Sequence, residues 1–227
     1  AGPGPDVAAP GAPAPGRDAS EVDLKALLAR FGVPVPAGRL AHNGADAEVA
    51  VRDVGGRAVV KAVVPGLLHK TDVGGVVLDV TPEGAAEAYD RCSRLGGAVL
   101  VEEMATGGAE VLVGVASSPL GPVLTLATGG VLTEAVDDAV FRLLPVDADE
   151  ARTMVDDLRG AVLLRGVRGR PALDEDALVR LLGAVSDLVT GWPEGYELDL
   201  NPVLVRADGV LVLDAAYVAP PVPPGAA

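Results

Sequence analysis

The sequence predicts an α/β (α+β) fold, and three observations carry that prediction. Apolar runs of strand length alternate along the chain with stretches whose apolar residues recur at helical spacing. The composition is globular at 49% hydrophobic but only 3% aromatic, so the core must be built from Val, Leu and Ala. At 227 residues the chain is long enough to bury such a core, as one domain of two lobes or as two small domains.

Taken in order, residues 1–20 are rich in Pro, Ala and Gly without periodicity and read as a flexible linker, as do 219–227 at the other end. Ser20 then precedes EVDLKALLARFG, 21–32, where Leu24, Leu27, Leu28 and Phe31 share a helical face and Gly32 stops the helix. VPVPAGRLA leads into a short helical stretch. RAVVKAV (57–63) and VVLDV (76–80) read as strands, and 81–96 as a helix capped by Thr81 with Glu83 and Glu87 toward its N-terminal side. AVLVEEM and AEVLVGVASS read as a strand pair flanking Thr106-Gly107-Gly108. GPVLTLATGG reads as a buried strand ending in a glycine pair, and VLTEAVDDAV, 131–140, as a short helix. Residues 147–158 and 174–192 read as helices, and 196–218 as a hairpin turning at Ala207-Asp208-Gly209.

The formal charge of −14 repels phosphate backbones, and so few aromatics leave little for base stacking, so nucleic acid is not expected as a partner. A single cysteine, Cys92, excludes an internal disulfide and a cysteine metal cluster, which fits a reducing, cytoplasmic compartment. No stretch approaches the roughly 20 apolar residues that cross a bilayer, and no signal-peptide pattern opens the chain, so no membrane partner is expected. A first residue of Ala rather than Met suggests trimming or a place within a longer polypeptide.

Basic residues are distributed unevenly in kind. Of 18, three are lysines (Lys25, Lys61, Lys70), and the histidines are only His42 and His69, yet Lys61, His69 and Lys70 fall within ten residues of one another. Lys61 sits mid-strand and reads either as a cation for nucleotide phosphates or as a surface lysine on a solvent face. In PGLLHKTDVGG, Lys70, Thr71 and the N–H groups around Gly74 and Gly75 could hold an anion, and His69 could accept a phosphoryl group; a plain turn with a half-buried histidine is the other reading. Gly129 and Gly130 stand between a strand and a helix, where unpaired N–H groups favour an anion or merely make a turn. Glu197, Asp199 and Asn201 lie two residues apart on one strand face, with Asp214 on the returning strand; oxygen ligands of this kind suit Mg²⁺, or they form an exposed polar face. Glu102, Glu103 and Glu110 flank a strand-to-strand crossing that could hold an adenine edge or be an acidic surface loop.

Together LLARFGVPVP, VVKAVVPGLLHKTDVGGV, VEEMATGGAEVLVGV, GPVLTLATGGVLTEAVDDAVFRLLP, LLRGVRGRP and ELDLNPVLV resemble the ATP-grasp domain (β subunit) of NDP-forming acyl-CoA synthetases of the ADP-forming acetate–CoA ligase type, and more distantly the succinyl-CoA synthetase β subunit. The resemblance runs over about 21–218 and implies a two-lobed ATP-grasp fold, its smaller lobe about 37–104, that closes on ATP or ADP with Mg²⁺. It implies Lys61 for nucleotide phosphates, Glu102 and Glu103 near the adenine-binding crossing, and Gly129 and Gly130 opening a helix whose N-terminus stabilises a phosphohistidine in transit, while Lys70, Gly74, Gly75 and Glu110 join the nucleotide and phosphate set from the loop readings above. It implies Asn201 and Asp214 for the metal, His69 in phosphoryl relay and Asp199 supporting a phosphohistidine ring. The partner implied is an α subunit or domain carrying the CoA-binding site and the phosphohistidine, in a hetero-oligomer. The chain departs from the family's pattern at Ala127, Ser118 and Ala216, the last standing where the family often has Arg. Two other readings stay open: a noncatalytic regulatory or assembly module of an acyltransferase-type protein, and an ATP-grasp carboxylate ligase of another chemistry.

Overall fold

The computed structural model describes residues 11–64, 70–130, 138–166, 169 and 171–221. His69 and the 131–137 part of the expected short helix lie outside the described residues. The chain divides into two compact units, a smaller one of 18–22 and 36–106 and a larger one of 1–17, 23–35 and 107–227. Every strand pairing among the described residues is antiparallel, which selects α+β from the two classes expected.

In the smaller unit β1 (Gly38–Ala41), β4 (Ala98–Glu103), β2 (Ala58–Val63) and β3 (Val76–Val80) form a four-stranded sheet in that order. The sequence reading has no strand at β1, because four residues of an edge strand, GRLA, show no alternation to detect. Helices α2 (Gly44–Asp53) and α3 (Ala85–Ser93) cover one sheet face. Asn43 starts α2 by accepting a hydrogen bond from Asp46 N–H. Thr81 does not cap as expected: a short 3-10 turn precedes α3, and the threonine makes no side-chain capping bond there but bonds the Glu83 carboxylate. The core under the helices is almost wholly Ala and Val, with Ala47, Ala50, Val51, Ala85 and Ala88 against Ala58, Val60, Ala62, Val99 and Val101. Side chains this small let the helix axes come close to the sheet.

Cys92 completes that core, fully buried, with Sγ near the carbonyl oxygens of Val60 and Gly75. Burial pushes its thiol above the ordinary range. Reaction with a soluble disulfide reagent is therefore expected to run on the order of 100-fold slower in native buffer than in denaturant. Equal rates in the two conditions would count against the packing described.

In the larger unit β10 (Ala215–Val218), β8 (Glu197–Arg206), β5 (Ala109–Ser118), β6 (Gly121–Thr128) and β7 (Ala139–Leu143) run in that order, with β9 (Gly209–Val212) also on β8. β8 is thus shared: its first half pairs β10 and its second half β9, so 196–218 makes three strands rather than one hairpin. Two further expectations are corrected. β4 and β5 are not a pair but belong to different sheets, the chain passing from one unit to the other at 106–107. Ala139 and Val140, expected at a helix end, open β7, whose Val140 pairs with Leu126.

Helices α4 (Ala148–Asp157) and α5 (Glu175–Leu188) start at Asp147 and Asp174, whose side chains accept hydrogen bonds from first-turn N–H groups. α5 packs on β8 and β9, and α4 on β7 and α5. Met154, Val155, Leu178, Leu182 and Val185 on the helices and Val113, Val115, Leu124, Leu126, Leu198 and Leu200 on the sheet are all buried. The first helix, α1 (Glu21–Arg30), buries Leu24, Leu28 and the following Phe31, as its spacing predicts. Part of the segment expected as a linker is tied down: Gly11 N–H donates to Asp187 O at 3.2 Å, Trp192 Nε1–H to Ala12 O at 2.9 Å, and Arg17 to Pro220 O.

Candidate functional site

Lys61 does not lie on a solvent face. All six residues of β2 are buried, Val60 and Ala62 toward the helices and, by strand alternation, Val59 and Lys61 toward the other face. Glu102 is diagonal to Lys61 on that second face, because β4 pairs Glu102 with Val59 and Leu100 with Lys61. Lys61 Nζ lies 2.8 Å from Glu102 Oε2 and 3.0 Å from Glu21 Oε1, and Lys70 Nζ bonds Glu21 Oε2. The two ammoniums and two carboxylates keep at most 9% side-chain exposure. Charges that far from water persist only when paired, and here each pairs within the quartet. Glu21 is the member that the sequence reading missed. One residue after Ser20 it looks like an ordinary acidic first-turn residue, and only the tertiary fold brings it to two lysines 40 and 49 positions away.

The turn after Lys70 positions that ammonium. Gly75 N–H donates to Lys70 O at 2.7 Å, Gly74 N–H to Thr71 O at 3.0 Å, and Ala62 N–H to Gly75 O at 2.8 Å, which ties the turn to β2. The two glycine N–H groups are therefore spent inside the turn. A Cβ on Gly75 would come within 2.9 Å of Leu95 Cδ1, so close packing accounts for glycine there. Glu103, next to Glu102, fastens the end of β4: its N–H donates to Ala37 O at 2.8 Å and its carboxylate accepts from Ala37 N–H at 3.1 Å.

In the larger unit Gly129, Gly130 and Glu110 come together. Gly129 N–H donates to Glu110 O at 2.8 Å, and a Cβ on Gly129 would stand 2.7 Å from the Glu110 carbonyl carbon, so no other residue fits without moving β5. Beside them is a second carboxylate that the sequence reading missed, Asp138, only 6% exposed. Thr128 Oγ1–H, Arg159 N–H at 3.0 Å and Gly160 N–H at 2.7 Å all donate to it. Burial alone would raise this carboxyl; the bonds from Thr128, Gly160 and Arg159 outweigh it and hold the group below the ordinary carboxylate range. Asp138 fixes Thr128, the last residue of β6, to the start of β7 and to the 159–163 turn.

The remaining residues lie on the face of the large sheet opposite its helices. Glu197, Asp199 and Asn201 are exposed while Leu198 and Leu200 between them are buried, as the alternation predicts. Asp199 stands between Gly114 of β5 and Ala216 of β10, neighbours with almost no side chain. It reaches solvent at its surface, yet loss of hydration in its surroundings is the first cause raising its carboxyl above the ordinary range, followed by the charges of Asp214 and Glu197. Asn201 N–H donates to Asp214 O at 3.2 Å and Ala215 N–H to Asp214 Oδ1 at 2.8 Å, so amide and carboxylate oxygens stand on adjoining backbone. One amide, one carboxylate and nearby negative charge suit a hard divalent cation that completes its shell with water and phosphate oxygens. Among the described residues no group of three or more His, Cys, Asp or Glu is arranged to hold a metal unaided. Lys25, the third buried lysine, donates from Nζ to Leu213 O at 2.8 Å, one residue before Asp214.

No helix among the described residues is long and apolar enough to cross a membrane. Comparison with known proteins matches residues 14–218 to the ATP-grasp domain family. The chain is 35% identical over 208 residues to the 4-hydroxybutyrate–CoA ligase (ADP-forming) of Nitrosopumilus maritimus, covering 86% of this chain but 30% of that protein. It is 31% identical over 219 residues to the beta subunit of the acetate–CoA ligase (ADP-forming) I of Pyrococcus furiosus, covering 91% of this chain and 94% of the subunit. A structure of the Korarchaeum cryptofilum dinucleotide-forming acetyl-coenzyme A synthetase 1, in complex with coenzyme A and Ca-AMPCP, superposes with a TM-score of 0.81 at 31% identity, over 88% of this chain and 92% of that one. Another structure of that enzyme, with coenzyme A and Mg-AMPPCP and its phosphohistidine segment pointing towards the nucleotide binding site, gives 0.76 at the same identity and coverage. The chain belongs to the ATP-grasp domain family, on the branch that includes the beta subunits of ADP-forming acetate–CoA ligases.

Proposed function

We propose that this chain is the nucleotide-binding, phosphoryl-transferring β subunit or domain of an NDP-forming acid–CoA ligase in the cytoplasm, converting acyl-CoA, ADP and phosphate to acid, CoA and ATP with an α partner. The observation that carries the reading is the pair of desolvated ammoniums, Lys61 and Lys70, bridged by the Glu21 carboxylate in the small unit of an ATP-grasp domain. Lys61 and Lys70 would receive nucleotide phosphates, with Gly74 and Gly75 shaping the turn and Glu102, Glu103 and Glu110 at the adenine crossing. Gly129 and Gly130 would stand near the phosphoryl group in transit. Asn201 and Asp214 would hold Mg²⁺, which when bound offsets charge on the phosphates.

The α partner would carry the CoA site and a histidine that takes the phosphoryl group from an acyl phosphate. That group then leaves the imidazole nitrogen as a β-phosphate oxygen of ADP bonds to phosphorus. Asp199, pressed by the charges of Asp214 and Glu197, is suited to accept an N–H from the imidazole ring, and His69 would take part in the relay. The physical logic is neutralisation of the charge on the transferring phosphoryl group.

Titration calorimetry with Mg²⁺-ADP tests the reading. Wild type should bind, and Asp214→Ala should weaken binding about tenfold or more when Mg²⁺ is present while changing it little with EDTA. Absence of nucleotide binding even with a CoA-binding α partner present would overturn the reading and favour a noncatalytic module.

A further inference from the structure

Glu21 belongs to no part of the function just proposed, yet it holds both lysines on which that function rests. Its two oxygens go to different ammoniums, Oε1 to Lys61 and Oε2 to Lys70, spanning them as two oxygens of one phosphate group would. With Glu102 on Lys61, two positive and two negative charges balance among the described residues of this buried set. A phosphate added to that set would bring uncompensated negative charge into a desolvated place, which is costly unless a carboxylate withdraws. Glu102 is fixed within a sheet strand, between paired neighbours on both sides. Glu21 is the first residue of the ten-residue α1, so on leaving the lysines it still faces a helix end that favours a negative charge.

We propose that Glu21 is an internal competitor for the phosphate site: it keeps Lys61 and Lys70 paired when no nucleotide is bound and is displaced by the nucleotide's phosphates. The proposal rests on the assignment of those lysines to phosphate. It gives Glu21 the role of lowering nucleotide affinity, in return for keeping two buried ammoniums compensated in the empty protein. The site would then be tuned to release its nucleotide.

The test is calorimetry and thermal unfolding of the full chain with ADP and with inorganic pyrophosphate, for wild type, Glu21→Gln, Glu21→Asp and Lys61→Ala. Glu21→Gln should bind both ligands about tenfold more tightly, melt lower when empty, and gain more stability from either ligand than wild type does. Glu21→Asp keeps the charge but is one methylene too short to span both lysines, so it should tighten binding less and remain measurable if Glu21→Gln folds poorly. Equal or weaker binding by both Glu21 variants, with Lys61→Ala weakened, would leave the phosphate site standing and overturn the competitor role. Unchanged binding by Lys61→Ala would remove the assignment on which the proposal rests.

Discussion

Lys61→Met is expected to lower the stability of the protein by about 3–5 kcal/mol, because it removes the cation between two buried carboxylates and leaves Glu21 and Glu102 facing each other without it. For a chain of this size that is a fall of roughly 10 °C in melting temperature. Nucleotide affinity should fall with it, so the two effects must be separated. Replacing Lys61 and Glu102 together with Met and Gln removes one opposite pair and leaves Lys70 on Glu21, and should recover most of the lost stability, since uncharged groups of similar shape replace a buried ion pair at little cost. Binding of Mg²⁺-ADP should stay lost in that double variant. Chemical denaturation gives the first quantity and calorimetry the second. A single variant as stable as wild type would mean that the cluster is not desolvated in solution.

Asp138→Ala is the second large effect, and it is independent of the lysines. Three donors, the Thr128 hydroxyl and the N–H groups of Arg159 and Gly160, lose their acceptor, with a cost of about 3 kcal/mol or more. Gly160→Ala should act through the same carboxylate, because its Cβ would fall 2.3 Å from Thr128 Oγ1 and 3.0 Å from Asp138 Oδ2. The pH dependence carries a definite sign. The folded pKa of Asp138 lies below its unfolded value, so its contribution is complete above the ordinary carboxylate range and is lost as pH falls through the depressed folded value. Wild type should therefore exceed Asp138→Ala by the full margin at neutral pH, and the margin should shrink well below about pH 4. A gap that stays constant into acid would show that the carboxylate is not acting as a charged acceptor.

Much of this organisation was legible in the residues. The 3.6-residue spacing of Leu24, Leu28 and Phe31 and the period-2 exposure of Glu197, Asp199 and Asn201 follow from rules that act within one element. The nearness of Asn201 and Asp214 was legible too, because a turn at 207–209 returns the chain beside β8. What failed was long-range. The assignment of β4 and β5 to separate sheets is decided by which edges find partners, and alternation says nothing of that. The burial of Lys61 depends on what covers the second face of β2, and on strand frequencies alone a lysine there reads as solvated. Glu21 and Asp138 carried no local signal, because each is explained by side chains and N–H groups that only the fold delivers.

All three lysines of the chain are buried, at 5, 6 and 8% exposure, while the other fifteen basic residues are arginines. At its surface the folded protein therefore carries its positive charge as guanidinium, which stays protonated and is a poor nucleophile at neutral pH. An acyl phosphate or thioester passing over that surface meets no lysine amine that it could acylate. A protein proposed to work beside activated acyl groups thus offers them no lysine amine at its folded surface, and an amine-directed label on a lysine would report opening of the fold.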